Sequence, residues 1–494
     1  MRYQQLSAKL LGPMVGGNRS SESQLKWHRA IVLILTFIVY TTYHASRRPI
    51  AIVKGELHYN CSDQLTTQVT NDTKSDEDNK YCGWEPFDKE NGKNLLGMLD
   101  SCYLFMYAFC MFVSGYFAER SNLRYFLSIS LIICGVISIA MGLAHVFEIH
   151  QLWYFIVFQL AAGIAQTTGW PAVVAIVGEW FGNTKKGLIL GIWNWHTSVG
   201  NIVGSAVASA FVDINWGLSF MVPGFICIGV AIIMFFILIP KPIDVGIQVE
   251  LTPDDETKNG MPPATNQIHC DMNKNPLAPE IKEKEEAITI WKALAIPGVV
   301  EFSICLFFAK LVSYTFLFWL PMYLESTSHL TAASSGFQSI AFDIGGCLGS
   351  IIAGFLADRT GASALTCIVF LALAIPSLVA FYAWSTVSAV ANNGLQFIAG
   401  AFVNGPYALI TTAVSANLAC KVPSKSAMAT VSAIIDGTGS IGAAVGPLLA
   451  PLVSGSDQWI NVFYMCIAAD VVAILSLIRI GYEDYRRFRN RRKY

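Results

Sequence analysis

Three cations, Arg47, Arg48 and Lys310, lie inside long apolar runs of the chain. A charge in lipid is costly enough that such residues face a partner or a water-filled cavity, and they mark ion or substrate pathways. Of 33 Lys and Arg, these three alone fall well within apolar stretches. Two of them sit in corresponding segments of an internal repeat, Arg47 ahead of Gly115 and Lys310 ahead of Gly354. One cation from each half, facing one cavity, is a site for a dianion. Phosphate carries about −1.5 to −2 charges near neutral pH; Arg offers it a planar fork of donors and Lys a point charge. Other readings stay open. Arg47 and Arg48, followed by Pro49, also fit the outer end of a helix, snorkelling to headgroups, and Lys310 also fits a structural ion pair. Asp343 is the acidic residue best suited to pair with a basic one, in a structural or gating role, because a carboxylate repels an anion; Asp100, Asp436 and Asp470 are similar cases. His44 and His196 can donate hydrogen bonds to a phosphate or a sugar and Trp170 can stack on a sugar ring, although packing accounts for any one of them as well.

The elements that must carry these residues are membrane helices. With 54% apolar and only 14% charged residues, the chain reads as an all-α membrane protein, each span needing about 20 apolar residues. Twelve such stretches are expected, at 29–54, 94–118, 124–144, 150–180, 186–212, 217–239, 295–324, 332–358, 362–384, 388–419, 425–453 and 457–481. They form two pseudo-symmetric bundles of six. Gly115-Tyr-Phe-Ala-Glu-Arg120 and Gly354-Phe-Leu-Ala-Asp-Arg359 are one phrase written twice, 239 residues apart, each where an apolar run meets charge. Gly169-Trp-Pro171 returns as Asn404-Gly-Pro406, and Thr197-Ser-Val-Gly200 as Gly439-Ser-Ile-Gly442. A duplicated bundle of this kind is how many secondary transporters are built.

Charge in the short connections sets the expected orientation. Arg120 with Arg124, Lys185 with Lys186, Arg359, and Lys421 with Lys425 fall in alternate loops, and the intervening short loops carry no Lys or Arg. Short loops rich in Lys and Arg stay cytoplasmic, so both termini are expected there. The domains are then a cytoplasmic segment 1–28, a bundle 29–239 with a luminal loop 55–93, a polar linker 240–294, a bundle 295–481 and a basic tail 482–494. The luminal loop holds two N-x-S/T acceptors, at Asn60 and Asn71, and two cysteines, Cys61 and Cys82, suited to a disulfide in an oxidising compartment; two unrelated thiols are the alternative. Small-residue faces at Gly200 with Gly204, and at Gly439, Gly442 and Gly446, predict close helix packing. The repeated phrases read as cytoplasmic latches in which Glu119 or Asp358 pairs with Arg or a helix end, Arg120 and Arg359 being the basic members. No set of His, Cys and acidic residues suggests a metal or a nucleophile with its base, so an enzyme is not expected, nor a cofactor, nor a nucleic-acid partner.

The repeated phrases after the second and eighth spans resemble the major facilitator superfamily. Tyr43-His-Ala-Ser-Arg-Arg48, Gly169-Trp-Pro171, Trp193-Asn194, Trp319-Leu-Pro321 and Ile435-Asp-Gly-Thr-Gly-Ser-Ile-Gly442 look like its organophosphate:phosphate antiporter branch. Phe308-Ala-Lys-Leu-Val-Ser-Tyr-Thr-Phe316 and Asn404-Gly-Pro-Tyr-Ala-Leu-Ile410 extend the likeness to solute-carrier family 37 over the whole chain. The resemblance implies a monomeric carrier exchanging a sugar phosphate, glucose 6-phosphate first, for inorganic phosphate by alternating access. It implies Arg47 and Lys310 at the phosphate, Arg48 with Asp343 as a gating ion pair, and Tyr43, His44, Trp170, Asn194, His196, Ser313 and Asp436 as further substrate contacts. The helix-seven cation of the branch falls at Ser313, one turn from Lys310; its helix-two lysine falls at Met111 and its histidine at Thr197, next to His196. The endoplasmic reticulum membrane is the implied location, with plasma or endolysosomal membrane as alternatives. Another organic anion as substrate, or a receptor that moves no solute, are the competing functions.

Overall fold

The computed structural model describes residues 21–59, 83–181, 193, 195–245, 290–328, 330–419, 425–455 and 458–491. The glycan acceptors Asn60 and Asn71, the cysteine pair Cys61 and Cys82, Asn194, the side chain of Glu119 and most of the linker lie outside these residues.

Among the described residues there are helices and no strands. The first span is α1 (Ser21–Ser46) followed by α2 (Pro49–Leu57). Spans two and three are α3 (Gly92–Arg120) and α4 (Leu123–Val146); span four divides into α5 (Leu152–Gln166) and α6 (Gly169–Phe181). The described part of span five is α7 (His196–Val212), and α8 (Trp216–Ile237) is span six. After the short α9 (Ile290–Leu294) come α10 (Val299–Ser328), α11 (Ala332–Thr360), α12 (Ser363–Trp384) and α13 (Ala389–Leu409). A π-helical turn at Ile410–Val414 leads to α14 (Ser415–Ala419), then α15 (Lys425–Ser454) and α16 (Trp459–Arg491). Eleven of these helical stretches are long and apolar enough to cross a membrane.

Local chemistry sets the helix ends. Asn122 accepts from the Arg124 amide at 3.1 Å and caps α4, Asn215 accepts from Gly217 at 2.9 Å and caps α8, and Ser388 accepts from Ala391 at 3.1 Å and caps α13. Each satisfies an amide that the first turn of a helix leaves without a partner. Pro49 divides α1 from α2, because it has no N–H to give the carbonyl of Ala45. The Arg48 amide takes that carbonyl instead, at 3.2 Å, and the Arg47 amide reaches His44 O at 3.4 Å. The tightened turn places Arg47 and Arg48 at the break.

The chain forms two compact units. The first holds residues up to Leu251 together with Leu317–Ile340 and Pro447–Asp457. In it α4 lies along α8, α1 along α7 and α3 along α5. Its core includes Leu127, Val173, Ile176, Trp180 and Trp193. The second holds Thr252–Phe316, Ala341–Gly446 and Gln458–Tyr494; α12 packs on α13 and α16, over a core with Leu306, Cys367, Leu371, Ile410 and Leu477. Helices α10, α11 and α15 therefore each run from one unit into the other.

Candidate functional site

Arg47 is buried inside the first unit. Its Nε donates to Gln166 Oε1 at 3.1 Å, and the Tyr103 hydroxyl donates to the same oxygen at 2.7 Å. Gln166 in turn donates through Nε2 to Ser46 Oγ at 3.0 Å, and the guanidinium lies 5.6 Å from the Tyr107 ring centroid. Ser46, Arg47, Tyr103, Gln159 and Gln166 supply polar groups to a small, partly open cavity. A cation oriented by neutral donors and acceptors, beside a cavity, is poised for an anionic ligand. The headgroup reading of Arg47 and Arg48 does not hold. Both are less than a tenth exposed, and α2 carries the span on to Leu57.

Arg48 donates through Nε to Ser205 Oγ at 2.7 Å and through Nη1 to Leu317 O at 2.5 Å. The second contact follows from Pro321 inside α10, which cannot donate to the carbonyl four residues earlier, that of Leu317. Pro451 in α15 does the same to Pro447, whose carbonyl accepts from Trp319 Nε1 at 3.0 Å. Two carbonyls released by proline are thus capped by side chains, one from the first span. Beside them Lys54 Nζ pairs with Asp100 Oδ2, donates to Phe318 O at 3.1 Å and stands 3.8 Å from a Trp319 ring centroid. Lys54 and Asp100 are wholly buried. Lys54 is a fourth intramembrane cation, contrary to the expected three. It stands at the last position of the expected span 29–54; the helix runs on to Leu57, and the lysine meets Asp100.

An aromatic and histidine cluster adjoins this region. The His196 ring centroid lies 4.2 Å from Trp193 and 4.4 Å from Tyr40, and His44 stacks on His196 at 5.7 Å. Trp170 meets Tyr40 at 5.6 Å and Trp193 at 5.9 Å. Thr197 Oγ1 lies 3.4 Å from His44 Nε2 and 3.2 Å from His196 Nδ1, so the threonine links the two imidazoles. His196 Nε2 is buried with no hydrogen-bond partner among the described residues. Tyr43 faces elsewhere: fully buried, it donates to Ser130 Oγ at 3.0 Å and ties α1 to α4.

In the second unit, Lys310 Nζ donates to Asp436 Oδ1 at 2.7 Å and lies 5.4 Å from the Tyr407 ring centroid. One turn on, Ser313 Oγ donates to Asn404 Oδ1 at 2.5 Å. Helix α15 reaches Lys310 because it crosses α10 backbone to backbone. A Cβ at Gly442 would stand 2.0 Å from Phe307 O, and one at Gly446 2.4 Å from Leu311 O. The first unit repeats this crossing between α7 and α1, where Gly200 meets Thr41 O and Gly204 meets Ala45 O, both at 2.5 Å. Thr41 and Ala45 thus stand to Gly200 and Gly204 as Phe307 and Leu311 stand to Gly442 and Gly446. In this register Lys310 takes the place of His44, and Ser313 that of Arg47. The two cations are offset by one turn rather than equivalent.

The remaining expected residues are placed singly. Asp343 is buried on α11 in the second unit, while Arg48 belongs to the first. Asp358 and Arg359 are exposed at the end of α11, the latter 5.9 Å from the Phe355 ring centroid, and Arg120 is exposed at the end of α3. Among the described residues no cluster of His, Cys, Asp and Glu could hold a metal ion.

Comparison with known proteins gives concordant findings. A family model described as Major Facilitator Superfamily matches residues 83–418 and 302–493. The glucose-6-phosphate exchanger SLC37A2 of Bos taurus is 49% identical over 477 residues, spanning 94% of this chain and 96% of that protein. SLC37A2 of Homo sapiens is 48% identical over 474 residues, spanning 94% of each chain; the glucose-6-phosphate exchanger SLC37A1 of Mus musculus is 44% identical over 503, again spanning 94% of each. The fold is similar to that of a bacterial homologue of the human lysosomal transporter Spinster, crystallised inward-facing and unoccupied. There the TM-score is 0.64 at 16% identity, covering 94% of this chain and 98% of that one.

Proposed function

The chain belongs to the major facilitator superfamily and, within it, to the glucose-6-phosphate exchangers of solute-carrier family 37, and from this premise we propose that it exchanges glucose 6-phosphate for inorganic phosphate across an intracellular membrane. It is a multi-pass transporter and not an enzyme. The observation that carries the substrate class is Arg47. It is a buried guanidinium held by Gln166 beside a cavity, and that position calls for an anion that fits a planar fork. Lys310 supplies the cation of the second half, and the linked imidazoles of His44 and His196, among Tyr40, Trp170 and Trp193, suit a polar ring with hydroxyls. The transport cycle is alternating access, with the anion favouring states in which it is most fully coordinated.

Arg48 and Asp343 act as the gating pair of this cycle, and the repeated Gly115 and Gly354 phrases as its cytoplasmic latches. The protein works as a monomer in the endoplasmic reticulum membrane with both termini in the cytoplasm. The alternation of Lys and Arg between short loops supports that orientation.

Reconstitution tests the reading. Purified protein in liposomes loaded with inorganic phosphate is expected to take up labelled glucose 6-phosphate, and uptake should be slower when internal phosphate is replaced by an inert salt. Uptake of other phosphorylated organic anions in preference to glucose 6-phosphate would move the substrate assignment. Failure of labelled phosphate to exchange with unlabelled phosphate would remove the phosphate reading.

A further inference from the structure

The sequence leaves Lys310 open as a cation for phosphate or as a member of a structural ion pair. The structure gives Lys310 a carboxylate of its own, Asp436, at 2.7 Å. The lysine side chain is 6% exposed and the aspartate 30% exposed, so the carboxylate is the more accessible member of the pair. The alignment is built into the fold. A Cβ at Gly439, one turn beyond Asp436, would meet Lys310 Cδ at 3.0 Å and Leu306 Cγ at 2.7 Å. Gly442 meanwhile seats α15 against the α10 backbone. The glycines of Ile435-Asp-Gly-Thr-Gly-Ser-Ile-Gly442 thus deliver the aspartate to the lysine.

We propose that Asp436 is a specificity-determining counter-ion. Its carboxylate neutralises Lys310 between transport events and phosphate displaces it on binding. A buried cation that has lost its partner is strongly disfavoured, whereas a hydrogen-bonded pair is not. The exchange of one anion for another therefore has two consequences. Phosphate binds more weakly than Lys310 alone would allow, because it competes with a tethered carboxylate. The unloaded carrier can also cross with its lysine compensated, so the protein supports net movement of phosphate as well as one-for-one exchange. This rests on Lys310 binding phosphate.

The test uses full-length protein in liposomes loaded with labelled inorganic phosphate. Efflux is measured into medium with unlabelled phosphate, which reports exchange, and into phosphate-free medium, which reports net movement. In the wild type, net efflux is expected at a measurable fraction of exchange. In Asp436→Asn the ratio of net efflux to exchange is expected to fall tenfold or more, and the half-saturating external phosphate concentration to fall severalfold. Asp436→Glu, which restores the charge, should recover at least half of the wild-type ratio. Asp436→Ser serves the same purpose as the asparagine should that variant fail to fold. A folded, charge-free variant that keeps the wild-type ratio overturns the proposal, as does a wild type with exchange and no net efflux. A wild type that does not exchange phosphate overturns the phosphate reading itself.

Discussion

Arg47 and Lys310 meet one problem, a positive charge in low dielectric, in two ways. Arg47 donates to the neutral Gln166 and lies over the Tyr107 ring, while Lys310 is matched to Asp436. Arg47→Lys keeps the charge and loses the fork that Gln166 aligns, so phosphate exchange should fall while some phosphate binding remains. Arg47→Ala should weaken binding by about 1.5–3 kcal/mol, roughly tenfold or more, the range for a charge-assisted hydrogen bond. Phosphate exchange in liposomes and direct binding in detergent both report it, and an Arg47→Ala protein that binds phosphate normally would take Arg47 out of the site. These two residues were legible in the sequence because a cation inside an apolar run is conspicuous there. Lys54 and Asp100 were not, since a lysine at the edge of a run looks the same whether its ammonium meets headgroups or turns inward to a carboxylate. Lys310 was legible as a cation, but its partner was not: Asp436 lies 126 residues away, and only the seating of α15 on α10 joins them.

At the scale of elements, glycine and proline do most of the positioning. The small-residue spacing of α7 and α15 announced close helix approach, and the structure adds what approaches: the carbonyls of Ala45, Phe307 and Leu311. Gly204→Ala puts a Cβ 2.5 Å from Ala45 O and 2.7 Å from its Cα. The helices must separate, displacing Arg48 from Ser205, the next residue. The expected loss is about 1–3 kcal/mol of stability, as for overpacking in general, read as a lower unfolding temperature in detergent. Gly354 is the contrasting case, with nothing within 4 Å of a Cβ there. Gly354→Ala should leave stability unchanged or raise it by up to about 1 kcal/mol, the helix cost of glycine. If stability holds and transport fails, the open space at Gly354 is filled in another state of the cycle, as the latch reading requires. Equal destabilisation by both substitutions would sink the argument from close approach.

The duplication was the most legible feature of the whole molecule, because repeated phrases at helix ends survive in sequence when most packing residues have diverged. Twelve spans and their order are expected from it and from hydropathy, and eleven are long and apolar enough among the described residues. What did not follow is that the compact units depart from the sequence halves. Leu317–Ile340 and Pro447–Asp457 belong with the first unit, since contacts such as Arg48 with Leu317 involve carbonyls, which a sequence does not display. Orientation is testable at the same scale. In animal cells at least one of Asn60 and Asn71 should carry a glycan, so that glycosidase treatment increases gel mobility. No shift, together with cytoplasmic labelling of a cysteine placed at Asn71, would invert the assigned topology. The proline-released carbonyls bear on how this molecule could be watched at work. An amide carbonyl with no backbone donor absorbs infrared light according to whatever side chain happens to cap it. A single isotope-edited carbonyl at Leu317 would therefore act as a built-in vibrational reporter, its band moving when the Arg48 guanidinium lets go, without a dye, a cysteine or any other foreign group on the protein.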